Sequence, residues 1–325
     1  MGRIRVVLLM ALVFLVGGMS WGEGAQEGVA GPSRAGEPEY SFVIVTHATA
    51  VPFFVPVRKG AEEAGALLNC EVVYTGPPDV NHQRQVEIIR TAIAQGADGI
   101  GTTMPDPEAY EDVVQEAMEK GIPVIALNAD DADSGRLAYI GQGNYEAGRS
   151  MGEQIVGLLP DGGHVMLGIH TAGAFNLEQR ISGVKDVLDE HGGFTYDVVA
   201  TTTDLVRATS LIGSYYQGHP QTKGFFGVED ISGSAIAQVI EREGLEGEVF
   251  GGGFDLVPDV MLAIQNGSMQ FTIDQQPYLQ GFQTVMQLYL LKKYQLTPTD
   301  ANTGVAPVTQ ENVDAVMELA EVGYR

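Results

Sequence analysis

The sequence is poor in the residues that usually announce chemistry. One cysteine, Cys70, in 325 residues excludes an internal disulfide. Lys and Arg number 18 against 42 Asp and Glu, a formal net charge of −24. That balance argues against DNA, RNA or anionic lipid as a partner, because those surfaces are read by cationic patches. The six histidines are scattered and, with a single cysteine, give no metal-ligand spacing. No G-x-G-x-x-G follows a strand, and P-loop, G-x-S-x-G and H-E-x-x-H motifs are missing. The glycines of Gly251–Phe254 sit inside a strand-like run rather than in a phosphate loop. The longest apolar run near the start, Val6–Val16, is too short to span a bilayer comfortably.

Arg3 and Arg5 precede that run, and Gly17, Gly18, Ser20 and Gly22 follow it, so residues 1–22 read as an export signal. No cysteine follows the apolar segment, which favours a free periplasmic protein over a lipid-anchored one. Residues 23–39, rich in Gly, Ala, Glu and Pro, read as a leader between signal and fold. A chain this long and 44% hydrophobic suits two globular lobes. Short β-branched runs then alternate with helical ones. Strands are expected at 42–46, 71–74, 98–102 and 122–127, with helices near 54–68, 83–95 and 108–120. A helix at 144–159 opens a second series, with strands at 164–169, 196–200, 224–228 and 249–254 and helices near 177–191, 207–217 and 233–243. Each βα unit takes roughly 25–30 residues, a repeat of architecture rather than of sequence. The alternation predicts an α/β fold of two doubly wound parallel-sheet lobes.

The chain is organised around residues 249–277, which read as strand, helix, strand. Asp255 and Gln275 fall at the two strand ends, where open α/β sheets bind ligands. A carboxylate there suits neighbouring hydroxyl donors. The alternative is that Asp255 caps the helix that starts near Pro258. Phe53 and Phe54 stand where a strand meets a helix, either as core rings or as faces for a sugar. Asp131, Asp133 and Gly135 suggest a calcium loop, but the twelfth position is Gln142 where the EF-hand needs Glu.

In order and spacing, PFF, PVIALN, IGQGN, FNLEQRISG, GVEDISG, GGFD and TIDQQP over residues 40–325 resemble the ribose-binding family of periplasmic binding proteins. The resemblance implies a type I periplasmic binding fold whose lobes are joined by a hinge of several strands. It implies a first lobe of residues 40–142 with 276–304 and a second of 143–275 with 305–325. It also implies a monosaccharide or polyol ligand handed to an ABC permease with its ATPase, by a monomer that needs no cofactor and is not an enzyme. Carried over residue by residue, the contacts are His47, Phe53, Phe54, Asn128, Asp130, Gln142, Asn176, Arg180, Leu205, Glu229, Asp255 and Gln275. Asp230 would then cap the helix after Glu229, and Asn144 the helix after the first crossing. Val51, Ala129 and Glu178 depart from the ribose contacts, pointing to another pentose, a hexose or a polyol. A sugar-sensing partner of a chemoreceptor and an exported enzyme on the same fold are the alternatives. A related repressor is disfavoured, because a signal and acidic composition replace the DNA-reading helices.

Overall fold

The computed structural model describes residues 38–325. The expected signal and leader lie outside the described residues, positions 38 and 39 excepted. Strands β1 (Ser41–Val45), β2 (Glu71–Thr75), β3 (Gly99–Thr102), β4 (Val124–Leu127) and β5 (Ala138–Gly141) alternate with helices α1 (Phe54–Leu68), α2 (His82–Gln95) and α3 (Glu111–Glu119). The chain continues through α4 (Asn144–Leu158), β6 (Gly163–Ile169), α5 (Phe175–His191), β7 (Phe194–Ala200), α6 (Leu205–Gly218) and β8 (Gly224–Gly227). It goes on to α7 (Asp230–Glu243), β9 (Phe250–Phe254), α8 (Pro258–Asn266) and β10 (Phe271–Asp274). Helix α9 (Pro277–Tyr294), β11 (Ala301–Asn302), β12 (Ala306–Thr309) and α10 (Val313–Glu321) complete it.

These strands make two six-stranded sheets, ordered β11-β5-β4-β3-β1-β2 and β12-β10-β9-β8-β6-β7. Every pairing is parallel except that of β12 with β10. Parallel strands are covered on both faces, so their apolar residues divide between two cores. In β1, Phe42 and Ile44 join Val57 and Leu288 of α1 and α9, while Val43 and Val45 join Ile89 and Val113 of α2 and α3. In the second sheet, Met166 and Phe225 pack on α6, α7 and α8, and Val165 and Leu167 on α4 and α5. The βαβ alternation read from the sequence is therefore present. Strands β5, β11 and β12, none longer than four residues, were not anticipated.

Sheet membership requires three passages between the lobes: from β5 to α4, from β10 to α9, and from β11 to β12. Side chains stitch the three strands together. Gly143 N donates to Asn302 Oδ1 (3.1 Å), Gln142 Nε2 to Gly304 O (3.3 Å), Gln276 Nε2 to Thr303 O (2.5 Å) and Thr303 Oγ1 to Gln275 O (2.8 Å).

Candidate functional site

Among the described residues, six other than glycine have a positive φ. Asn69 and Gln295 end helices, where left-handed backbone is ordinary. The other four, Asn128, Thr202, Asp255 and Gln276, all follow the carboxyl end of a strand, β4, β7, β9 and β10 respectively. Strained backbone of this kind persists where the surroundings hold it, and it clusters at ligand sites. The carboxyl ends are also where doubly wound sheets bind.

Asp255 does not cap α8: Val257 occupies that position and Pro258 opens the helix. Its Oδ1 instead accepts from Gln275 Nε2 at 2.6 Å, joining the ends of β9 and β10. Burial pushes the Asp255 carboxyl up to about 7, against the pull of the Arg180 guanidinium beside it. Arg180, 3% exposed on α5, lies with its guanidinium 4.2 Å from the centre of the Phe254 ring. It donates through Nε to Asn144 Oδ1 (3.0 Å) and through Nη1 to Val228 O (2.9 Å). Arg180 thus ties α4 and the end of β8 to α5 while its charge faces Asp255, Glu229, Asp230 and, from the first lobe, Tyr139. Asn144 is not the cap of α4; Gly143 is, which frees the Asn144 side chain for Arg180.

Asp230 was expected to cap α7, but the cap is Glu229. Glu229 is 3% exposed. It accepts from Ser232 N and His170 N at 3.0 Å each and also from the Ser232 hydroxyl. Burial raises it to about 7. Asp230 is half-buried, with Oδ1 accepting from the adjacent Ile231 N (2.8 Å). Ligand atoms of His170, Glu229 and Asp230 come within 4.8 Å of one another, a grouping that linear spacing could not reveal.

Other sequence candidates sit as follows. Leu205 packs against the core of the second lobe, and Asp204 before it caps α6 by accepting from Arg207 N. Phe54 is buried in the first-lobe core, edge-on to both His47 and Phe53; Phe53 is half-buried. His47 shares a hydrogen bond with Thr103 Oγ1 (3.0 Å), and burial holds its imidazole down at about 4, hence neutral. Asp130 is already engaged at both oxygens by Arg136, at 2.5 and 2.6 Å, which corrects the expectation that it is a free acceptor. Asp131 caps the short turn after it, and its Oδ2 is buried with no partner among the described residues. Asn128 keeps a half-buried side chain, while its carbonyl accepts from Tyr139 OH (2.9 Å). Gln142 belongs to the hinge stitching, its Oε1 buried without a partner among the described residues. Asn176 is exposed in the first turn of α5.

The structure therefore brings together Asp255, Gln275, Arg180 and Glu229 on the second lobe, and His47 with Phe53 and Phe54 on the first. Sequence reasoning missed Tyr139, which acts on Arg180 from a strand not anticipated. That hinge strand, at four residues, carried almost no signal.

Comparison with known proteins agrees with this architecture. A model described as a periplasmic binding protein domain matches residues 42–295. The xylose/arabinose-binding protein XylF of Sulfolobus acidocaldarius is 36% identical, over 85% of this chain and 72% of its own length. The D-ribose/D-allose-binding protein of Pseudomonas aeruginosa is 24% identical, over 84% and 88%. Among solved structures, an ABC transporter solute-binding protein from Burkholderia graminis in complex with D-arabinose superposes with a TM-score of 0.78 and 32% identity, over 85% of this chain and 96% of that one. With a matched domain running through both sheets and a relative above one third identity, the chain belongs to the periplasmic binding protein family.

Proposed function

We propose that the chain is the extracytoplasmic solute-binding protein of an ABC importer and that it holds an aldopentose or closely related monosaccharide between its lobes. The observation that carries this reading is the Asp255–Gln275 couple, joining two strand ends beside Arg180. A carboxylate on left-handed backbone and an amide beside it offer two kinds of partner, with Asp255 as acceptor and Gln275 as both acceptor and donor. Hydroxyl-rich ligands satisfy such a set, and Phe53, at the start of α1, supplies an apolar face for a sugar ring. Relatives named for xylose, arabinose and ribose support a pentose over a polyol.

In this reading residues 40–142 with 276–304 and 143–275 with 305–325 move as two bodies. Closure completes the hydrogen-bond set, so a ligand contacting both lobes favours the closed form by its differential affinity. The protein binds without turnover, acts as a monomer, and delivers its sugar to a permease and its ATPase. Residues 1–22 direct export and are removed. No helix among the described residues is long and apolar enough to cross a membrane.

Thermal unfolding against D-xylose, L-arabinose, D-ribose, D-arabinose, hexoses and polyols tests the reading. A ligand at about 100 times its dissociation constant adds about 2.7 kcal/mol of stability. A clear stabilisation by one aldopentose, lost in Asp255→Ala, is the expected result. Silence across the panel, with no small molecule recovered from the denatured protein, rejects it.

A further inference from the structure

We propose that residues 322–325 form a strap between the lobes: anchored on the second lobe, they hold the first through Tyr324, favour the closed arrangement, and so strengthen ligand binding from α1 and α9 rather than from the strand ends. This rests on the two-lobe hinge reading above, and the sugar enters only as the probe of affinity.

The strap begins with a glycine. Gly323 has a φ of +77°, which glycine adopts freely, and its N–H closes the end of α10 on Ala320 O (3.0 Å) while Tyr324 N closes on Leu319 O (2.9 Å). The chain therefore turns sharply as α10 ends. A Cβ on Gly323 would come within 3.3 Å of the Lys59 side chain, so the turn delivers the backbone directly against α1. Arg325 supplies the anchor. Its Nη1 donates to Asp274 Oδ2 at 2.6 Å, and the Asp274 side chain is 1% exposed at the end of β10, where its other oxygen accepts from Gln276 N (2.8 Å). A carboxylate buried that deeply holds its cation, because parting the two leaves an uncompensated charge.

Between glycine and arginine, Tyr324 crosses to the first lobe. Its hydroxyl donates to Glu63 Oε1 (3.2 Å), Lys59 Nζ sits 4.5 Å from the centre of its ring, and that centre is 5.4 Å from the ring centre of Tyr278 on α9. Tyr278 donates to the other Glu63 oxygen (2.7 Å), so one carboxylate receives two tyrosines. Lys59 and Glu63 belong to α1 and move with the first sheet; Arg325 is fixed to β10 and moves with the second. Residues 320–322 face Val55, Arg58 and Tyr74 across a groove of about 770 Å³, so the strap bridges a gap rather than extending a packed interface. Rotation that opens this flank must strip Tyr324 from α1. A contact made only when the lobes are together adds to the closed population, and the apparent affinity of a ligand rises with the fraction of protein in its binding-competent form.

Spin labels at the exposed positions Asp79→Cys and Val206→Cys, in a Cys70→Ser background, report the separation of the lobes, and calorimetric titration with D-xylose, L-arabinose, D-ribose and D-arabinose reports affinity. Tyr324→Ala should lengthen the ligand-free separation and weaken the best aldopentose about fivefold, with the order of preference among the four sugars as in the parent. Lys59→Ala removes the same contact from the other lobe. It should act in the same direction, and the double variant should bind within about twofold of Tyr324→Ala alone. Should Tyr324→Ala fail to fold, Lys59→Ala, at a half-buried side chain, reads the contact in its place. The strap is overturned if separation and affinity both stay as in the parent within about twofold, even where the melting temperature falls, since that is the mark of a merely structural contact. Tighter binding overturns it as well, because the contact would then brace the open form. If the parent binds none of the four sugars, the sugar reading falls, and the ligand-free separation alone decides the strap.

Discussion

At the residue scale, the cleft carries two acids whose protons are held by their surroundings. Burial lifts both Asp255 and Glu229 to about 7, from usual values of 3.8 and 4.5. Between those usual values and about 7 the unfolded chain is ionised at these positions while the folded chain keeps its protons. Their contribution to stability is thus fully present below about pH 4 and is lost as pH rises through 7. We expect the ligand-free melting temperature to fall over that window, and to fall less in Asp255→Asn, as thermal scans from about pH 4 to about pH 8 will read. Sugar binding has the opposite sign. Hydroxyl donors favour the ionised Asp255, so binding releases a proton, and affinity should rise with pH up to about tenfold per unit below 7. Titrations in two buffers of different ionisation heat measure that proton; identical heats would show that Asp255 does not change charge. The placement of Asp255 and Gln275 at two strand ends was legible because each follows an apolar run; that Val257 and not Asp255 caps the next helix was not. That Glu229 rather than Asp230 caps α7 was not legible either. Either acid can cap a helix, and the choice was made by Ser232 and the His170 amide, the latter brought there only by the sheet.

At the scale of elements, both lobes use the same helix contact. A Cβ on Gly60 of α1 would overlap the Tyr278 carbonyl of α9, and one on Gly281 would overlap the Val57 carbonyl of α1. In the second lobe Gly148 of α4 meets the Arg180 carbonyl of α5, and Gly183 meets that of Tyr145. In every case the glycine lies three residues after the carbonyl of its own helix that receives the partner glycine. Backbone-to-backbone contact brings each pair close, and in the second lobe it fixes the register of Arg180 over Phe254. Gly281→Ala should therefore lose about 1–2 kcal/mol in urea unfolding, overpacking outweighing the gain in helix propensity. Gly157→Ala, on α4 with nothing within 4 Å, should instead gain about 0.5 kcal/mol. Equal effects at the two sites would refute the packing account. Helices and central strands were readable because each repeats its apolar pattern over many residues. Strands β5, β11 and β12 were not, since two to four residues cannot display a period, and their pairing depends on partners distant in sequence. Leu205 shows the same limit: its place at a helix start was legible, but its packing against the core was decided by α7 and its neighbours.

At the scale of the whole molecule, the hinge edge and the open edge are set by strand order. Strands β5, β11, β10 and β12 lie on the hinge side of their sheets, and β2 and β7 at the far edges. A rotation about the stitched crossings moves the far edges most, because they are furthest from the axis. Asp79, exposed in the loop after edge strand β2, and Val206, 77% exposed in the first turn of α6 after edge strand β7, are therefore chosen to report closure. Cys70 is the single cysteine and is buried, so a Cys70→Ser background carrying Asp79→Cys and Val206→Cys accepts one label per lobe. Labels at these positions should approach each other when the stabilising aldopentose is added. Asp255→Ala in the same background should leave the distance unchanged at that sugar concentration, since closure is driven by the difference in affinity between the two forms. A distance that stays fixed while calorimetry shows binding would mean that the lobes form one rigid body, and that selection is made without hinge motion.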